Sequence, residues 1–215
     1  MGEPKAILFD LDGVIVDTAK HHFIAWRALA AELGFEFTEA DNERLKGVSR
    51  MDSLNILLEI GGINISEEKK KALAAKKNEQ YVKAIQQMDR SEILPGVERF
   101  LTELKEKGVP FALGSASKNA PLILKQIDLY DTFDAIVDGN VISKAKPDPE
   151  VFLKGAELLK IDPKDCVVFE DAQAGIEAGK HAGMYVVGVG DADILTGADD
   201  YIQDLSDMHF SRLVK

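Results

Sequence analysis

The stretch KAILFDLDGVIVD, residues Lys5–Asp17, decides how the rest of the chain is read. Ala6 to Phe9 form an unbroken apolar run, the pattern of a strand buried on both faces. The run turns polar at its C-terminal end, where three carboxylates appear: Asp10, Asp12 and Asp17. Charge in an apolar strand is costly unless it is compensated. Asp10 and Asp12 are two residues apart, so in extended chain they share a face while Leu11 points the other way. Gly13 permits a tight exit. Taken alone, the pair also fits a solvated strand end, where Asp is an ordinary turn residue. Asp17, past the turn, is placed as a hinge residue or as N-cap of the helix that follows.

Outward from this strand the chain divides. Phe23, Trp26, Leu29, Ala30 and Leu33 recur at helical spacing, and helical segments continue through Met51–Ile60 and Ser66–Met88. Ser66 is the expected cap of the last segment. From LPG at Leu94–Gly96 strands and helices alternate. VERFLTELKEKG is a helix ended by Gly108, PFALGS a strand, Asn119–Ile127 a helix, and FDAIVDG a strand and turn. Asp148 opens another helix. CVVFED is a strand, AGIEAGKHAG a helix, and MYVVGVG a strand. DYIQDLSDMHFSRLVK is read as a strand fragment and a terminal helix. Repeated strand–helix units call for a parallel sheet covered on both faces. The expected fold is α/β, a Rossmann-like parallel-sheet core with an inserted all-helical cap. The core takes residues 1–17 and 91–215, and the cap takes 18–90. An insertion after the C-terminal end of a strand lies beside the ligand crevice of such a sheet, which makes it a candidate lid.

Composition narrows the function. The formal charge of −11 over 215 residues gives no basic footprint for nucleic acid. No run is long enough for a membrane helix, and no basic-then-apolar leader opens the chain. The single cysteine, Cys166, lies in an apolar run and is expected to be buried. These features fit a cytoplasmic protein, with a monomer as the expectation.

Chemistry collects at the strand ends. Ser115 stops the strand PFALGS, Lys146 precedes a helix, and Glu170 and Asp171 follow CVVF. Parallel strand ends converge on one crevice. Two acidic groups there would repel each other unless a cation intervened. An oxygen-liganded ion such as magnesium suits this set, whereas four histidines and one buried cysteine make a zinc cluster a poor fit. A carboxylate nucleophile, a second acid, a lysine and a metal are the parts of phosphoryl transfer. No GK[ST] loop supports a nucleotide-cradling route.

With FDLDGV, GSAS, Lys146 and Glu170-Asp171 in order, the chain resembles the haloacid dehalogenase-like hydrolase superfamily over nearly its whole length. The resemblance implies that Asp10 attacks phosphorus and that Asp12 is the general acid/base. It assigns magnesium to Asp10, Asp12 through its backbone carbonyl, Asp171, and Glu170 directly or through water. It assigns the transferring phosphoryl group to Ser115 and Lys146. Dehalogenation is disfavoured, because members with that activity usually lack an acid at the position of Asp12. Finer text (DTAKHHFIAWRALAAELG, LKGVSRMDSL, AAKKNEQYV and GSASKNAP) resembles the β-phosphoglucomutase family.

That family interconverts β-glucose 1-phosphate and glucose 6-phosphate through glucose 1,6-bisphosphate. The resemblance places His22 near Asp12, with Thr18 and Lys77 as partners in cap closure. Arg50 would hold the non-transferring phosphate. Lys46, Gly47, Val48 and Ser49 would frame the sugar, and Trp26 would shape its pocket. Ser117, Lys118 and Asn119 would form the core side. Ala172 departs from the family, where a serine is common, and removes a hydroxyl near the metal site. A sugar-phosphate phosphatase is the alternative reading, a disaccharide phosphomutase a near variant, and a non-catalytic binding module a third.

Overall fold

In the structure, a computed structural model describing residues 2–214, Ala6–Phe9 is strand β1, and every side chain in it is fully buried. It occupies the middle of a six-stranded sheet with β2 (Phe111–Gly114), β3 (Ala135–Val137), β4 (Cys166–Glu170), β5 (Tyr185–Val189) and β6 (Asp200–Ile202). The order is β3-β2-β1-β4-β5-β6, and every pairing is parallel. Leu8 stands opposite Ala112 on one side and Val168 on the other.

Alternate residues of β1 feed different cores, as the period of two in a strand requires. Ile7 and Phe9 join an aromatic cluster with Phe100, Phe111, Phe133 and Phe169. Helices α5 (Val97–Lys107) and α6 (Ala120–Gln126) contribute Phe100, Leu104, Ile123 and Leu124 to that face. Ala6 and Leu8 face the other way, onto Phe152 of α7 (Glu150–Leu159) and Ile176 of α8 (Gln173–His181). The next strand in sequence pairs on one side of β1 and a later one on the other, so the crevice falls at the C-terminal end of β1.

Between β1 and β2 the chain builds four further helices before α5: αA (Ala19–Glu32), αB (Glu39–Glu43), αC (Arg50–Ile60) and αD (Glu67–Ile85). They enclose their own apolar cluster around Trp26, Leu29, Leu54 and Leu57. On αD the buried positions Ala74, Lys77, Tyr81 and Ile85 keep the three-to-four spacing of one helical face. Ser66 caps αD by accepting from Lys69 N, as expected. No helix among the described residues is long and apolar enough to cross a membrane. Cys166 is buried in β4, which, with Asp165 and Asp162 nearby, pushes its thiol up to about 12.

Two local expectations fail for identifiable reasons, and one helix arises that none of them covered. Asp17 does not cap αA; Thr18 is the N-cap, and Asp17 instead faces Lys20 at 3.6 Å. The terminal segment makes only a single turn at Phe210–Leu213, because Phe210, Leu213 and Met208 pack into the sheet's aromatic face rather than forming a helical stripe. Helix αB arises where no apolar period marks it; Thr38 and Asp41 form a reciprocal capping box that starts it.

Candidate active site

The C-terminal ends of β1, β2 and β4 open into a cavity of about 480 Å³, walled on the far side by αA, αC and αD. Asp10 continues β1 by donating its N–H to Phe169 O at 3.0 Å, which fixes its carboxylate at the sheet edge. Beneath it lies Lys146, 2% exposed, whose Nζ donates to Asp10 Oδ1 at 2.5 Å and to Glu170 Oε2 at 2.8 Å. Burial alone would lower this ammonium's pKa; Asp10 and Glu170 outweigh it and hold it above the usual lysine range. Lys146 therefore stays charged and ties β1 to β4.

Asp10, Glu170 and Asp171 can bring one oxygen each within 4.8 Å of one another. A single ammonium cannot balance three carboxylates. Burial, then the charge of Asp10, pushes Glu170 well above its ordinary value and Asp171 up to about 8. Glu170 Oε1 is buried with no hydrogen-bond partner. An unpartnered buried oxygen among crowded, oxygen-only donors is the environment that a hard divalent cation satisfies. The residues fit such an ion. Gly13 lets the chain pass this close: its φ is +80°, and a Cβ there would stand 2.1 Å from Asp171 Oδ2.

Asp12 leaves the sheet edge toward the helices. Thr18 Oγ1 donates to Asp12 Oδ1, which explains why Thr18 caps αA without a side-chain bond to the helix. Burial, reinforced by Asp10, raises Asp12 to about 6. Its other neighbour is His22, with Nε2 at 3.9 Å from Asp12 Oδ1. Burial, then Lys77, lowers His22 well below its ordinary value, so the ring is neutral. Lys77 Nζ lies 2.9 Å from His22 Nδ1. With Lys77 donating to Nδ1, the ring proton sits on Nε2 and points to Asp12. Tyr81 stacks on His22 at 4.0 Å, and Lys77 lies over the rings of Trp26 and Tyr81 at 4.4 and 4.7 Å.

Two loops complete the walls. Ser115 Oγ accepts from Ser117 N, and Ser117 Oγ from Asn119 N, winding residues 115–119 into successive hydroxyl turns over the sheet. Opposite, Ser49 caps αC by accepting from Asp52 N, and Arg50 is the helix's first residue. In this loop Gly47, with φ +73°, seats on the core: a Cβ there would lie 3.0 Å from the Cβ of Ala172. The methyl of Ala172 is therefore part of the floor on which the helical segment rests.

Of the residues singled out from sequence, Asp10, Asp12, His22, Trp26, Lys46, Gly47, Val48, Ser49, Arg50, Lys77, Ser115, Ser117, Lys118, Asn119 and Asp171 line the cavity. Thr18, Lys146 and Glu170 stand behind that wall and reach it through Asp12 and Asp10. The sequence reading missed Asn42, Ser53, Asn78 and Tyr81, which also line it. The signal for Tyr81 is its four-residue step from Lys77, which puts both on one helical face.

Residues 4–183 match the haloacid dehalogenase-like hydrolase family. The chain is 44% identical over 206 residues to a β-phosphoglucomutase of Bacillus subtilis (strain 168), covering 95% of this chain and 91% of the relative. It is 34% identical over 183 residues to a phosphorylated carbohydrates phosphatase of Thermotoga maritima, covering 84% and 82%. The crystal structure of a β-phosphoglucomutase from Clostridium difficile superimposes with a TM-score of 0.93 at 41% identity, over 99% of this chain and 96% of that one. With the sheet order, the buried carboxylate–lysine edge and the helical insertion, these likenesses show that the chain belongs to the haloacid dehalogenase-like hydrolase family, among its β-phosphoglucomutases.

Proposed function

We propose that this enzyme interconverts β-D-glucose 1-phosphate and D-glucose 6-phosphate through an aspartyl phosphate on Asp10 and bound glucose 1,6-bisphosphate, with residues 18–90 acting as a closing cap. The observation that carries this reading is the meeting, in one cavity, of Asp10 on its Lys146 pair with the Asp12–Thr18–His22–Lys77 chain from the helical side. A phosphatase needs Asp10, Lys146 and Asp12, but not the link from Asp12 to His22 and Lys77. A mutase must also deliver a sugar oxygen in place of water, which a closing wall linked to the proton carrier achieves.

In this reading Asp10 attacks phosphorus of the bisphosphate, the bond from phosphorus to the sugar oxygen breaks, and Asp12 gives that oxygen a proton. In the reverse step Asp12 removes the proton of the other sugar hydroxyl, whose oxygen attacks phosphorus while Asp10 leaves as a carboxylate. Asp12, at about 6, sits where it can both give and take a proton near neutral pH. Ser115 holds the transferring phosphoryl oxygens, with the charge of Lys146 reaching them from behind Asp10, and Arg50 with Lys118 holds the distant phosphate. Lys46, Gly47, Val48 and Ser49 frame the sugar from one side, and Ser117 and Asn119 from the other. Magnesium, held by Asp10, Asp171, Glu170 and the Asp12 carbonyl, supplies charge neutralisation for the phosphoryl oxygens when bound.

The purified protein with magnesium and a trace of glucose 1,6-bisphosphate should convert the β anomer of glucose 1-phosphate into glucose 6-phosphate. Failure to do so, with inorganic phosphate released instead, would favour a sugar-phosphate phosphatase.

Three further outcomes follow from the geometry. Magnesium should raise the melting temperature of the wild-type protein by several degrees, and Asp171→Asn should abolish most of that rise; an equal rise in both proteins would remove Asp171 from the metal site. Arg50→Ala should weaken sugar-phosphate binding by roughly tenfold or more, as loss of a charge-assisted pair predicts, while magnesium affinity stays unchanged; paired titrations separate the two ligands.

Lys77 is 2% exposed, and burial, followed by the charge of Arg50, lowers it to about 7 against an ordinary 10.5. Between pH 7 and 10.5 the unfolded chain therefore binds the extra proton, so this group makes stability rise with pH across that window. The stability of the wild type minus that of Lys77→Met should climb by up to about 1 kcal/mol per pH unit there. A flat difference in urea unfolding at pH 7, 8 and 9 would show that Lys77 keeps its ordinary affinity for the proton.

A further inference from the structure

Asn119 is the N-cap of α6, yet its side chain makes no capping bond. Asparagine at this position ordinarily accepts from the first turn, a contact worth ~1 kcal/mol. Here the amide turns away across the cavity, and its Nδ2 donates to Oδ1 of Asn78 on αD at 2.9 Å. The bond joins the helical segment to the sheet's edge. Both residues line the cavity.

An amide has one acceptor oxygen and two donor hydrogens. The bond uses the oxygen of Asn78 and one hydrogen of Asn119, leaving Asn78 Nδ2 and Asn119 Oδ1 outside the pair, on two residues that line the cavity. One wall thus offers a donor from one segment and an acceptor from the other. The pairing is symmetrical: whichever amide donates to its neighbour, one donor group and one acceptor are left for a ligand. A hydroxyl, which donates one hydrogen and accepts on oxygen, matches both at once. Water does so equally, but a hydroxyl fixed to a ring and anchored by a phosphate is held in place. A methylene at that position leaves both amide halves unpaired in a half-buried site, which is why sites built to read a hydroxyl reject the analogue that lacks it.

We infer that Asn78 is a specificity-determining residue: with Asn119 it forms a two-sided reader of one ring hydroxyl of the substrate, so that the helical segment closes fully only over a correctly hydroxylated sugar. This rests on the reading that the cavity takes a sugar phosphate. It adds a residue, a pairing partner and a chemical feature of the substrate.

The test compares β-glucose 1-phosphate with its 2-, 3- and 4-deoxy analogues on the wild type, Asn78→Ala and Asn78→Asp. On the wild type, one analogue should lose roughly tenfold or more in kcat/KM relative to the parent sugar. On Asn78→Ala the same analogue should lose less than about threefold, because the site no longer reads that hydroxyl. Asn78→Asp keeps the acceptor and removes the donor. Its added charge acts on parent and analogue alike, so the ratio should shrink there too, and this second variant decides the matter if the first does not fold.

Equal ratios for all three analogues on the wild type and either folded variant would overturn the inference. If the parent sugar binds without isomerising, the proposed reaction fails, and the same ratios are read from binding titrations. If the parent sugar does not bind at all, both fall.

Discussion

Replacing Asp10 by Asn should lower isomerisation by at least about 10⁴-fold while the protein stays folded. An amide of the same shape cannot form the bond to phosphorus. The structure makes the second half of this expectation specific. Lys146 keeps Glu170 as a partner at 2.8 Å, so the substitution leaves no orphaned ammonium. It also removes the charge that raises Glu170 and Asp171, which relieves repulsion at the sheet edge. Stability in urea should therefore hold or rise as activity disappears, a pattern that general unfolding would not give. Initial rates and urea midpoints measured on the same preparation check both. Isomerisation within tenfold of wild type would remove Asp10 from the nucleophile's role.

The largest stability effect is expected at Lys146. Its side chain is fully buried between Asp10 and Glu170. Lys146→Met keeps the stem and removes the charge, which leaves two buried carboxylates without their cation. Removing one partner of a buried ion pair costs ~3–5 kcal/mol. The penalty has a pH signature. Lys146 holds the Glu170 carboxyl down against burial, and without it that group is raised further, so the penalty grows as pH climbs past the wild-type value of Glu170 and shrinks on acidification. Urea unfolding at pH 8 should show most of the loss, and at pH 5 a smaller one. A variant as stable as wild type at pH 8 would mean that the pair is not what holds β1 to β4 at this edge.

The fold could be read from sequence because β1 to β4 are apolar runs, each ending at a polar residue: Asp10, Ser115, Asp138 and Glu170. Ala6–Phe9 and Cys166–Phe169 are buried on both sides, and no other pattern accommodates such runs beside amphipathic helices. The paired acids, Lys146 and the helical insertion were legible in the same way. What escaped were the partners of side chains whose local preference is overruled across the fold. Thr18 and Asn119 both stand at helix N-caps, and both spend their side chains elsewhere, on Asp12 and Asn78. Propensity cannot foresee this, because the competing partner is distant in sequence or lies at a turn. Such departures from local rules collect at functional sites. As a cap, Asp17 was misplaced for the mirror-image reason: it has the right chemistry and sits one residue too early. Tyr81 is 1% exposed, as a core aromatic would be, yet its ring forms the platform for His22 and Lys77.

Ala172 changes meaning in the structure. From sequence it reads as a lost hydroxyl near the metal. In place it is a buried methyl under Gly47, and the helical segment rests on it. The departure lies at the contact between the two halves of the site, directly beside Glu170 and Asp171.

On the proposed reading this site passes a phosphoryl group from Asp10 to a sugar hydroxyl in preference to water. Following β-glucose 1-phosphate by ³¹P NMR, with magnesium and catalytic glucose 1,6-bisphosphate, reads both fates in one sample. Glucose 6-phosphate should accumulate to near equilibrium before inorganic phosphate becomes detectable. Inorganic phosphate appearing as fast as glucose 6-phosphate would contradict the claim.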